Sequence, residues 1–283
     1  MRAVKSYIVN GWKSVKDQFY VMIIMFLYQL LWGYFLYRLI DSAVVPLLMR
    51  YPDPPPTELS QVLYYVEGQM SLTQSSTVHT YLWVLLGMVA LRMLLTPFIH
   101  AGIFYGLHRE HQGERGLFFF QGMKLHGKTV FLFHLIEWVL IAAPLYWMIP
   151  KMYPILLSAI QNHAQLLHCI PYIAVWLLYC YIVHQMILFM QFGKTGGTSM
   201  FSSLWICLRS ALPVIGISVL LGAVSLLLYG ITSSISLIWA GLATLIIQQG
   251  YHMVSCIFKL WNISSQYDLW HQQMNRTKKN ISE

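Results

Sequence analysis

Six stretches of the chain are apolar for about as long as a bilayer is thick: residues 19–37, 81–107, 129–149, 169–192, 211–231 and 235–258. A spanning helix needs about 20 mostly apolar residues. None of the six alternates apolar and polar positions as the strand of a membrane barrel must. The pattern therefore predicts an all-α, polytopic transmembrane bundle of about six spans. The first run is too long for the apolar region of a signal peptide and ends without a small-residue cleavage site, so it reads as a retained anchor.

The connections carry patterns of their own. Residues 41–80 form a long loop containing Tyr51-Pro52-Asp53-Pro54-Pro55-Pro56, which cannot be helical. Thr57 then caps an expected short helix with Leu59, Val62, Leu63 and Val66 on one side. Residues 150–168 follow a similar plan. Residues 108–128 and 193–210 each read as a glycine-marked turn followed by an aromatic-rich amphipathic segment leading into a span. The two halves thus suggest an internal repeat of span, interfacial helix, span. Residues 259–283 read as a tail.

Lysine and arginine positions orient the bundle. With the N-terminus inside, fourteen of the eighteen basic residues fall on the cytoplasmic side; Arg38, Arg50 and Lys151 fall outside, and Arg92 lies within a span. That asymmetry predicts both termini in the cytoplasm. Composition agrees: 57% of residues are hydrophobic and 10% charged, against roughly 25% charged in soluble domains. The net charge of +8 does not indicate nucleic acid, because the basic residues sit in short groups beside apolar segments. Cys169, Cys180, Cys207 and Cys256 are far apart and show no metal-ligand spacing.

This arrangement over residues 81–231, with its Gly113 and Gly193–Gly197 turns and aromatic segments at 117–124 and 200–210, resembles a broad group of bacterial six-span proteins. That group includes the membrane domain preceding some glycerophosphodiester phosphodiesterases. The resemblance implies a multi-pass protein of a bacterial cytoplasmic membrane. It implies no enzymatic role, since no phosphodiesterase domain is present in this sequence.

Candidate chemistry rests on polar residues inside the spans. A charge at the bilayer centre costs about 2.5–3.5 kcal/mol on insertion scales, so each should face a partner or a cavity. Arg92 and Glu137 are such charges on consecutive antiparallel spans, with depths that differ by roughly 10 Å at helical rise; they are expected to form an ion pair. His100, His134, His184 and His252 each lie a short way inside the cytoplasmic end of a different span, and Gln248 is one turn from His252. Such a layer suits hydrogen bonding between helices first, and otherwise a proton relay, a transition metal or a haem; the sequence names no metal and assigns no cofactor.

Two functions follow as expectations. The first is a non-enzymatic, permease-like or accessory component acting on lipid, small solute or a partner complex, with membrane lipids and a membrane or cytoplasmic protein as partners. The second is an intramembrane enzyme or a metal- or haem-binding redox protein using Arg92, Glu137 and the span histidines.

Overall fold

The computed structural model describes residues 2–48, 76–114, 116–159, 167–238 and 242–282. The proline-rich stretch, the Thr57-capped helix and residues 160–166 of the second external connection lie outside them. The described residues are helical almost throughout: α1 (Arg2–Asp17), α2 (Phe19–Leu48), α3 (Ser76–His111), α4 (Phe119–Ala159), α5 (Ile170–Thr195), α6 (Met200–Arg209), α7 (Ala211–Ile238) and α8 (Leu242–Ser282). Among the described residues five segments are long and apolar enough to cross a membrane: Phe19–Ser42, His79–His111, Phe119–Ile155, Leu167–Thr195 and Ala211–Ile235. Their outward side chains are apolar, Leu226 and Trp83 being 70% exposed, as a hydrocarbon solvent requires. This is the make-up of a multi-pass membrane protein.

The sixth expected span, 235–258, runs across residues outside the described set, and the break expected before it is absent. α7 instead continues through Thr232 and Ser234 to Ile238. The hydroxyls between the two expected spans fold back on the helix, Thr232 Oγ1 donating to Leu228 O (3.0 Å) and Ser234 Oγ to Gly230 O (2.8 Å), so they satisfy themselves without ending it. Other boundaries differ too. α4 runs as one helix from Phe119 through Pro144, Pro150 and Pro154, so the expected interfacial segment at 117–128 and the start of the 150–168 connection are extensions of a span. α6 is a separate short helix as expected, burying Ser203, Ile206 and Cys207 and exposing Phe201, Trp205 and Leu208.

The chain divides into two compact units, one of residues Ile23–Thr96 and one of Met1–Met22 with Pro97–Glu283. The smaller is an antiparallel helical hairpin. Its two helices are tied by Tyr81 Oη donating to Ser42 O (2.9 Å) at one end and by Tyr28 Oη meeting Thr96 Oγ1 (2.9 Å) at the other.

The larger unit packs around the C-terminal half of α8. The stretch expected to be a tail is its most buried part, with Ser264 to Trp270 all enclosed. α1, which hydropathy alone did not reveal, lies along it. Tyr7, Gly11, Ser14 and Val15 form the buried stripe of α1, a helical spacing with small or polar members. Trp261 Nε1 donates to Ile8 O (2.8 Å), and Trp12 packs on Trp261 with ring centroids 4.8 Å apart. Gly11 is where the two backbones meet: a Cβ there would lie 2.8 Å from Ser265 Cα. Gly193 makes a similar approach to α6, where a Cβ would lie 2.9 Å from Ser203 Cβ.

Phe192 sits fully buried among Phe104 (5.3 Å between centroids), Tyr267 (5.2 Å) and Trp270 (6.3 Å), and Trp270 Nε1 donates to Ser203 Oγ (3.0 Å). One ring thereby joins α3, α5, α6 and α8. Gly11→Ala is expected to lower stability by about 1–3 kcal/mol through overpacking, and Phe192→Ala by about 3–5 kcal/mol. Gly33→Ala, where a Cβ meets nothing within 4 Å, should be neutral. Chemical unfolding in detergent measures all three.

Candidate functional site

The larger unit brings together three of the four span histidines and Glu137. α4 and α5 are held in register by side chains that donate to the facing backbone, Tyr179 Oη to Leu140 O (3.2 Å) and Trp176 Nε1 to Ile141 O (3.3 Å). Phe133, Val183 and Ile187 fill the seam below them. This register sets His184 opposite Glu137. The Glu137 carboxylate is 7% exposed and is engaged on both oxygens. His184 Nδ1 lies 2.7 Å from Oε1, and His134 Nδ1, one turn away on the same helix, 3.5 Å from Oε2. His100 lies within electrostatic reach of His134, His184, Glu137 and Lys259.

Hydrogen-bond roles fix the protons. The indole N–H of Trp138 donates to His134 Nε2 (3.0 Å). An indole can only donate, so that nitrogen carries no proton and His134 is the neutral Nδ1–H tautomer. A carboxylate can only accept, so His184 Nδ1 is protonated as well. The rest of the His184 ring is half exposed, which leaves its Nε2 open. Chemically, a proton added to His184 Nε2 would make an imidazolium adjacent to the Glu137 carboxylate.

The geometry does not suit a metal. Both imidazoles turn Nδ1 to the carboxylate and Trp138 occupies the second nitrogen of His134, so within this trio of side chains His184 Nε2 is the nitrogen left without a partner. Among the described residues no group of three His, Cys, Asp or Glu side chains has metal-holding geometry.

The remaining sequence candidates lie elsewhere. Arg92 is an exposed residue of the smaller unit, its carbonyl accepting from Tyr28 Oη (3.3 Å) and Thr96 Oγ1 (2.7 Å). The ion pair expected between it and Glu137 would join the two units, and the partners that Glu137 has within the larger unit are the two histidines. Gln248 and His252 line a separate cleft of about 240 Å³ between α7 and α8, with Tyr229, Thr232, Ser233 and Tyr251. Gly193 to Thr195 still belong to α5, and the turn follows at Gly196 and Gly197. Cys207 is enclosed, and burial pushes its thiol up to about 11, as befits an inert packing residue.

A second polar cluster was not anticipated. Asp268 Oδ2 accepts from Asn10 Nδ2 (3.2 Å) and Gln272 Nε2 (2.9 Å), while Oδ1 lies 3.6 Å from His111 Nε2. His111 Nδ1 faces Leu107 O (2.9 Å), so both ring nitrogens meet acceptors, an arrangement that a doubly protonated ring satisfies in full. Beside it Gln112 Nε2 donates to His108 Nε2 (3.0 Å), and His108 Nδ1 meets Tyr267 Oη (3.1 Å). Burial pushes the Tyr267 phenol well above its ordinary range, so it stays neutral. This cluster ties α1, α3 and α8 together. The sequence signal for it is the stripe Leu260, Ser264, Tyr267, His271 at helical spacing in the segment expected to be a tail.

No family model matches the chain, and no curated protein or solved structure does either.

Nitrogen-15 NMR of histidine-labelled protein should show His134 as the neutral Nδ1–H tautomer at neutral pH. Trp138→Phe should release that constraint; an imidazolium signal for His134 in the unaltered chain would contradict the assignment.

Proposed function

We propose that this chain is a proton-handling, permease-like membrane component, in which proton exchange at the His184–Glu137 pair drives or gates movement of a solute or lipid. One observation carries the reading: a carboxylate enclosed in an apolar span has both oxygens on imidazoles, and one of those imidazoles keeps an open nitrogen. Intramembrane ionisable residues are expensive and typically mark ion or proton pathways when they face a partner or a cavity. A fixed structural pair would need neither the third histidine nor an exposed ring edge. Membrane lipids are the surroundings this reading assumes, and a protein partner is compatible with it.

Transient currents on proteoliposomes given rapid pH steps test the proposal. The unaltered chain should give a charge displacement when pH changes. Glu137→Gln and His184→Gln should abolish it while still inserting and eluting as single species, and His252→Gln should retain it. A displacement that survives both substitutions, or none in the unaltered chain, would overturn the reading.

A further inference from the structure

A cleft at the α1–α2 joint of the larger unit has a different chemistry from the histidine site. It measures about 460 Å³ and is walled by the α1–α2 joint (Asp17, Gln18, Tyr20), the end of α3 (Gly106, Glu110) and the turn that follows (Glu114, Phe118). That volume is in the range that holds a small organic ligand. In a chain with net charge +8, three of its ten carboxylates line this one cleft.

Two observations say what the ligand must offer. Gln18 is 4% exposed and lines the cleft. Its amide nitrogen is committed to Glu110 Oε2 (2.7 Å), and its buried carbonyl oxygen has no partner. Gly106 stands close against that oxygen, where a Cβ would come to 3.3 Å. Among the described residues no cation pairs with Asp17 or Glu110. Gln18 Oε1 and the carboxylates of Asp17 and Glu110 are all acceptors, so a group that satisfies them is a donor, and a charged one. The same wall already holds such a group: the Arg109 guanidinium bonds Glu114 (2.8 Å) and lies over Phe118, 5.8 Å from its centroid.

We propose that this cleft binds an organic cation through a primary ammonium or guanidinium group. Asp17 and Glu110 supply charge, Gln18 Oε1 takes an N–H, and Tyr20 and Phe118 supply ring faces. The ammonium can belong to a soluble amine or to a phosphatidylethanolamine headgroup. This inference does not depend on the proton-handling reading, because it uses none of the same residues.

The test is calorimetric titration of spermidine into the full chain in phosphatidylcholine nanodiscs, repeated with choline, which has no N–H, and in phosphatidylethanolamine nanodiscs. Spermidine should bind at least about tenfold more tightly than choline, one charge-assisted hydrogen bond being worth about that ratio. Asp17→Asn should weaken it about tenfold by the same arithmetic, and Asp41→Asn should not. Should Asp17→Asn fail to insert, the exposed Glu114→Gln takes its place. If the natural occupant is the headgroup, phosphatidylethanolamine will compete with spermidine and Asp17→Asn will remove the difference. A soluble ligand predicts equal affinity in both lipids. Spermidine binding no tighter than choline in either lipid, or undiminished by both substitutions, would overturn the proposal.

Discussion

The ring of Phe192 is the point on which the larger unit turns. It lies where α3, α5 and α8 converge, and Trp270 reaches from the same knot to Ser203 of α6. In hydrocarbon there is little hydrophobic gain in bringing helices together, so association rests on close packing and hydrogen bonds. That explains why enclosed rings gather here: Phe104, Phe189, Tyr267 and Trp270 are all buried and all lie against Phe192. The spans themselves stay open, and their apolar faces are left for lipid.

The knot also places the chemistry. His184 is two turns before Phe192 on α5, so the rotation of α5 that buries Phe192 brings His184 toward α4 and Glu137. Phe104 and His100 stand one turn apart on α3, with ring centroids 5.9 Å from each other. The packing centre and the histidine site therefore share two helices, and a loosened knot disturbs the site without touching it. At the other side of the knot Tyr267 and Asp268 are adjacent, so α8 gives one residue to packing and the next to the polar tie with Asn10 and His111.

Much of this was legible in the residues. The apolar runs located the long helices because lipid imposes a length and a hydropathy on each. Glu137 declared itself as a charge where charge is costly; the common depth of His100, His134, His184 and His252 suggested one layer, whereas His252 lines a separate cleft. What could not be read was the content of the polar ends. α1 and the second half of α8 are amphipathic helices whose buried stripes use Gly11, Ser14, Ser264 and Ser265 rather than large apolar residues, so hydropathy passed over them. The break expected near Ser233 failed because hydroxyls inside a helix can satisfy themselves on the preceding turn. α4 likewise continues past the expected boundary at residue 149, carrying Pro150 and Pro154 within one helix.

On the proton-handling reading, the charge count of the site explains why three ionisable groups belong together. With both histidines neutral and Glu137 ionised the group carries one negative charge, and one added proton makes it neutral. A charge at this position is costly in hydrocarbon and a neutral group much less so. Holding the proton and closing the helices around the site are then mutually favourable, as are releasing it and letting water in. The half-exposed edge of His184 is where that exchange can occur, because Glu137 and His134 are closed off by Trp138 and the seam of Phe133 and Val183. A conformational change that exposed or covered this single ring would couple the proton to the packing of α4 against α5, and through Phe192 to the rest of the larger unit.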